Sequence, residues 1–218
     1  MKERGMIFNG EMVRAILDGR KTQTRRIVKG TDGAVKFCKE WDINGEEIFV
    51  VLGEKDRTGM NPVLGAISCP FGAVGDRIWV RETFQGPLFD YDLMDSYCKD
   101  PTPFEKPEFC VYKADGVPAP EFYDADDELH CCWRPSIHMP RWASRILLEI
   151  TNVRVERLKS ISDGDALREG CSTADMKSGD CVADVFARLW ASIYGAESWN
   201  ANPWVWVIEF KRVEGGTA

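Results

Sequence analysis

Apolar and polar positions alternate along this chain in short runs of two kinds. Met12, Val13, Ile16 and Leu17 recur at helical spacing. With Asn9 as cap and Gly19 as stop, they predict a short helix from Asn9 to Gly19. The polar run Arg20-Lys21-Thr22-Gln23-Thr24-Arg25-Arg26 then leads into Ile27-Val28, a loop entering a strand. Val35 to Phe37, Trp41 and Ile48-Phe49-Val50-Val51-Leu52, with Gly and Asn between them, predict a hairpin. After the turn-rich Cys69 to Asp76 comes a strand from Arg77 to Phe84. Its alternation puts Ile78, Val80 and Glu82 on one face and Arg77, Trp79 and Arg81 on the other. Phe109 to Tyr112 is strand-like, and the Pro-bounded Trp133 to Ser144 is an ordered loop. Arg145 to Leu158 reads as two β segments around Thr151-Asn152. Ser162 to Glu169 reads as a helix capped by Ser162, with Asp165 at its third position, and Val182 to Ser192 as a second, striped by Val185, Phe186, Leu189 and Trp190. Trp204 to Phe210 is a strand rich in aromatic and β-branched residues. Short strands with peripheral helices predict an α+β fold, a small mixed β-barrel in one domain spanning 1–218.

Charge divides this domain. The 218 residues carry 28 basic and 35 acidic groups, a net −7. Residues 1–30 hold eight basic and three acidic groups, 8 − 3 = +5, and residues 85–130 hold three and twelve, 3 − 12 = −9. The acidic block also holds six of the eleven prolines, so 85–130 reads as an irregular insertion and its tract from Asp124 to Glu128 as a solvated face. The imbalance argues against a broad nonspecific DNA binder, while the basic groups remain able to line a separate pocket. The eight cysteines form no CxxC pair, and only His130 and His138 could join them as ligands. Free thiols in a reducing compartment are expected, with no zinc module and no other cofactor. No apolar run approaches the roughly 18 residues of a membrane span, and no signal-peptide core follows Met1. These features predict a soluble cytoplasmic protein without a membrane partner.

Four cations in seven residues, 20–26, are unusual for a connector. Lys21 and Thr24 are three apart and would share a side in a helical or turn conformation. A threonine becomes a nucleophile when a neighbouring base takes its proton, and a lysine does this when burial or nearby cations lower its pKa. Glu82 could orient that ammonium or shuttle a proton. The plainer alternative is a helix C-terminus whose cations satisfy carbonyls, followed by a strand that opens on threonine.

Gly19-Arg20-Lys21-Thr22-Gln23-Thr24-Arg25-Arg26 resembles the GxKxxExR signature of the ASCH domain family, related to the PUA barrel. It matches at Gly19, Lys21 and Arg26, with Thr24 in place of the glutamate. The segments from Gly75 to Thr83, Trp133 to Ala143 and Asn202 to Ile208 resemble ASCH proteins of tailed phages and prophages. The resemblance covers nearly the whole chain outside the acidic insertion. It implies a PUA-like barrel with a cleft for a nucleoside or RNA base. Small bacterial members include amidohydrolases of N4-acetylcytidine and related N4-acylcytosines that use a lysine, a threonine and a glutamate. Lys21 and Thr24 fall on that motif, and Glu82 matches the glutamate. The resemblance therefore implies attack by Thr24 on the acyl carbonyl, with Lys21 as base and Glu82 holding the lysine or protonating the departing amine.

The competing expectation is a noncatalytic reader of RNA or modified nucleotides. In it Arg26, Arg81 and Arg141 contact phosphates and Trp142 stacks on a base. Ser136 would join the pocket wall, and His138, between Ile137 and Met139, is either a general base or a structural histidine. Trp79, Trp133, Trp204 and Trp206 read as core aromatics. An assembly role finds no heptads or repeats in its favour, and the residues do not fix an oligomeric state.

Overall fold

The computed structural model describes residues 1–123 and 128–213. In chain order its regular elements are β1 (Glu3–Ile7), α1 (Gly10–Leu17), β2 (Gln23–Ile27), β3 (Lys36–Trp41), β4 (Glu47–Leu52), β5 (Val63–Ile67), β6 (Arg77–Arg81), β7 (Phe84–Gln85), α2 (Met94–Lys99), β8 (Val111–Tyr112), β9 (Glu121–Tyr123), β10 (Leu129–Cys131), β11 (Leu147–Arg157), α3 (Asp163–Arg168), α4 (Val182–Tyr194), α5 (Ala196–Ala201) and β12 (Trp204–Arg212). Mixed α+β architecture is thus present. The sheets run from edge strand to edge strand, and none closes into a barrel among the described residues.

The chain divides into two interleaved units. The first comprises Met1–Lys2, Gly19–Asp76 and Glu149–Lys211. There β11, β12 and β2 are neighbours in that order, with β12 antiparallel to β2 so that Ile208 faces Thr24 and Val207 faces Arg25. A separate antiparallel sheet has the order β3-β4-β5, which realises the expected hairpin and adds a third strand. The unit's core lies under α3 and α4: Leu158, Ala166, Val185, Phe186 and Trp190 pack with Val205 and Val207 of β12. Burying each of the larger side chains contributes about 1.5–3 kcal/mol, offset by the cost of ordering the chain. The polar pair Thr151-Asn152 does not divide β11 as the sequence predicts. Thr151 is exposed and Asn152 half-buried while Ile150 and Val153 on either side are buried, so the polar pair is accommodated within one continuous strand.

The second unit comprises Glu3–Asp18, Arg77–Leu148 and the residues from Arg212 on. Parallel β1 and β6 pair with Gly5 opposite Trp79. A Cβ on Gly5 would come within 2.6 Å of the Trp79 ring and 2.9 Å of Arg81 Cδ, so glycine is what lets that indole lie across the strand. Asn9 caps α1, its Oδ1 accepting from the Met12 N–H at 2.8 Å, as its position before the apolar stripe predicts. The acidic segment is less irregular than its prolines suggest. It contains α2, the pairs β7–β8 and β9–β10, and a ring cluster in which Phe104 lies 4.8 Å from Phe89, 5.6 Å from Tyr97 and 5.4 Å from Phe109. Of its acidic tract, Asp124 to Asp127 lie outside the described residues, and Glu128 is exposed. No helix among the described residues is long and apolar enough to cross a membrane.

Candidate functional site

The site is built from the end of α3 and the approach to β2, both in the first unit. Ser162 and Asp165 form a capping box that starts α3. The helix stops in a Schellman motif: the Gly170 N–H donates to Leu167 O at 2.9 Å and the Cys171 N–H to Ala166 O at 3.1 Å. Gly170 sits at φ +93°, a conformation in which a side chain would be strained. This stop leaves Glu169 at the helix end with its carbonyl unpaired to the helix. The incoming chain takes it up through Lys21 Nζ, while the Thr22 N–H donates to Arg168 O at 2.8 Å and Lys21 forms an antiparallel bridge with Glu169.

Lys21 Nζ donates to Glu169 Oε2 at 2.7 Å and to Glu169 O at 2.9 Å. Both side chains are buried, at 0% and 2% exposure. Arg25 Nη1 holds the other carboxylate oxygen at 3.0 Å, and its guanidinium lies 5.7 Å from the centre of the Phe186 ring. Burial lowers the Lys21 pKa from its ordinary value. The charge and hydrogen bond of Glu169 oppose this, nearby Arg26 reinforces it, and the net shift is downward.

The acidic surroundings extend past Glu169. Arg25 Nη2 is 3.5 Å from both Glu156 and Asp165, and Gln23 Oε1 accepts from Arg154 at 3.2 Å. Arg154 in turn holds Glu156 at 2.6 Å, Asp165 at 3.2 Å and Glu209. Burial raises the Asp165 pKa, but hydrogen bonds from Arg168 and Ser162 and the charge of Arg25 outweigh it and leave the group at about 2. Positions 21 and 25 thus reach one cluster of carboxylates, and Gln23 meets that cluster only through Arg154.

Thr24 and Arg26 alternate with them, as an extended strand requires. Thr24 Oγ1, fully buried, accepts from Arg26 Nη1 at 2.8 Å, and the same nitrogen donates to Arg25 O at 2.9 Å. The three-residue spacing would unite Lys21 and Thr24 in a turn, but the backbone is extended from Gln23 on. Lys21 bonds to Glu169 and Thr24 to Arg26. The carboxylate beside the lysine is therefore Glu169, the residue that sequence reasoning missed. The signal for it was the Glu169-Gly170 pair closing a capped helix.

Glu82 lies in the second unit, buried as its place in the alternation predicts. Arg145 clamps it, Nε to Oε1 at 3.0 Å and Nη2 to Oε2 at 3.1 Å. Asp115 grips the same guanidinium at 2.7 and 2.8 Å, and the Tyr112 ring lies 3.9 Å beneath it. Burial raises the Glu82 pKa against the opposing pull of Arg145. The other residues named from the sequence are also in this unit. Arg81 donates to Ser136 O at 3.2 Å and to Ile137 O, and lies 5.5 Å over Trp79. Arg141 pairs with Glu3 at 2.9 Å. Trp142 is half-buried against a cluster of Phe84, Tyr112, Met139 and Ala143. Ser136 is half-buried, and His138 is exposed on the short turn Ser136–His138. Among the described residues no group of three or more His, Cys, Asp or Glu could hold a metal ion.

Comparison with known proteins finds no matching family model, no matching curated relative and no matching solved structure.

Proposed function

We propose that this protein is an ASCH-type, PUA-like amidohydrolase that removes acyl groups from N4-acylated cytosine nucleosides in the cytoplasm, with Lys21, Thr24 and Glu169 as its reacting groups. The observation that carries this reading is that Lys21, three positions before the buried Thr24, is shut away from water, hydrogen-bonded to the buried Glu169 carboxylate, and lowered in pKa by burial. Such an amine exchanges protons more readily near neutrality than an exposed lysine does. Thr24 Oγ1 attacks the acyl carbonyl, and the charge of Arg26 favours the developing alkoxide. Lys21 and Thr24 point to opposite sides of the extended chain, so the hydroxyl proton reaches the Lys21–Glu169 pair through a water that enters with the substrate, and the pair returns one to the departing cytosine amine. Water then releases the acyl group from Thr24 as a carboxylic acid and restores the hydroxyl. Because Arg26 covers the hydroxyl, its guanidinium must swing onto the substrate before attack, which gives it a second task as oxyanion donor.

Incubation of purified protein with N4-acetylcytidine should release cytidine and acetate. Lys21→Ala and Thr24→Val should each lower kcat by at least about 100-fold, with circular dichroism confirming the fold. No release by the intact protein, or full activity in either variant, sinks the proposal. The burial of Thr24 and Lys21 favours a second reading, a noncatalytic binder of modified nucleotides. Under it N4-acetylcytidine is bound and recovered unchanged.

A further inference from the structure

Arg25 is among the most deeply buried large side chains, 2% exposed, and its hydrogen bonding within the first unit is incomplete. A guanidinium presents five N–H donors in a planar fork. Nη1 gives one of them to Glu169 Oε1 at 3.0 Å. The Nε–Nη2 edge, the side of the fork that grips an acceptor with two parallel N–H groups, reaches no hydrogen-bond acceptor among the described residues. Nη2 lies 3.5 Å from Glu156 Oε2 and 3.5 Å from Asp165 Oδ2. Those separations let the charges attract without placing an N–H on either oxygen.

Two neighbouring atoms share this condition. Gln23 stands two positions before Arg25, on the same face of β2, and is fully buried. Its Oε1 accepts from Arg154 at 3.2 Å, while its Nε2 finds no acceptor among the described residues. Glu156 Oε1 is held by Arg154 at 2.6 Å, while Glu156 Oε2 finds no donor there. Arg154 also holds Asp165 at 3.2 Å, so it draws Gln23 and Glu156 to the carboxylate that Arg25 approaches. Three donor atoms and one acceptor atom, all out of contact with solvent, thus border one region. Buried polar groups in folded proteins are almost always paired, and the signs of these four decide what pairs them. An anion would satisfy Arg25 and Gln23 but be repelled by Glu156. A cation would satisfy Glu156 but be repelled by the guanidinium. A neutral atom bearing both lone pairs and hydrogens satisfies all of them, and at this depth it must be very small.

We propose that the first unit binds an internal water molecule at the Nε–Nη2 edge of Arg25, the water accepting from the guanidinium and from Gln23 Nε2 and donating to Glu156 Oε2. The site gives a reason for glutamine at position 23. Its carbonyl end answers Arg154 and its amide end answers the water, a pairing that neither leucine nor glutamate can make. The water also fixes Arg25 on the side that Glu169 does not reach, so the cation that holds Glu169 is kept in place from both edges. This site does not depend on turnover at Lys21.

A high-resolution crystal structure of the full chain tests the assignment directly. It should show a well-ordered water within the roughly 2.7–3.2 Å of a hydrogen bond from Arg25 Nη2, Gln23 Nε2 and Glu156 Oε2. Magnetic relaxation dispersion of the solvent oxygen reads the residence of the same water in solution. Gln23→Met removes one of its donors at nearly constant volume and should shorten that residence about fivefold, the effect of one hydrogen bond. If Gln23→Met fails to fold, the crystal structure of the unaltered chain carries the test. Arg25 Nη2 bonded directly to Glu156 or Asp165 with no water between them, an ion in the water's place, or a residence time unchanged in Gln23→Met overturns the proposal.

Discussion

Replacing Glu169 by glutamine removes a charge that two buried cations share. Lys21 and Arg25 would then face a neutral amide with no water to solvate them, a change that costs about 3–5 kcal/mol at comparable buried pairs. Urea denaturation should show a loss of that size, and Lys21→Met in the Glu169→Gln background should recover part of it. Recovery of nothing would mean that the lysine is not the group left stranded. The same pair has a defined pH signature. The folded-state pKa of Lys21 lies below its ordinary 10.5, so between those values the unfolded chain binds the proton that the folded one releases. The contribution is fully present above 10.5 and is lost as pH falls through the lowered value. Glu169→Gln removes what opposes the depression, so the window widens and the deficit of the variant shrinks on the alkaline side. A deficit constant from pH 7 to pH 10 would contradict this.

At the scale of elements, α3 is a six-residue helix that exists because both of its ends are chemically specified. Ser162→Ala deletes the hydroxyl that accepts the Asp165 N–H at 3.1 Å and should lower stability by about 1 kcal/mol in a denaturant titration. It should also lower the amidase activity proposed for this unit, because Glu169 is positioned by the end of that helix. A stability change without any effect on turnover would separate the helix from the chemistry. This element also marks where sequence reasoning succeeds. The cap at Ser162, the cap at Asn9 and the burial of Ile78, Val80 and Glu82 were legible because each follows from neighbours within a few residues. The partner of Lys21 was not, because Glu169 is 148 positions away and the bridge between them is set by the packing of β2, β12 and α3. Thr24 parts from Lys21 for a smaller reason: three-residue spacing unites side chains in a helix and separates them in a strand. The aromatic packing inside the acidic segment was hidden by composition, since proline and aspartate outweigh four rings spread between Phe89 and Phe109.

The whole-molecule charge pattern bears on what the protein can hold. The +5 of residues 1–30 suggests a phosphate-binding face, but Lys21 and Arg25 are buried on carboxylates and Arg26 is bonded to Thr24. In the other unit, Arg77 and Arg141 face Glu3, and Arg81 is bound to carbonyls. A single-stranded RNA would have to displace these partners against a net charge of −7, and its affinity would fall with salt with a slope near −0.7 per phosphate neutralised. The nucleotide form of the proposed product, cytidine 5′-monophosphate, held chiefly by base contacts and one phosphate, neutralises about one charge. Its affinity should therefore change by only about threefold between roughly 50 and 200 mM salt, where a strand making six or more contacts loses at least about 300-fold. Fluorescence anisotropy of a labelled oligoribonucleotide, set beside titration calorimetry of cytidine 5′-monophosphate over that range, decides between them. A shallow slope for the nucleotide and no oligonucleotide binding at about 150 mM salt is the expected outcome. Tight, steeply salt-dependent oligonucleotide binding would show that the arginines exchange their internal partners for phosphates, and the noncatalytic reading would then take precedence over hydrolysis.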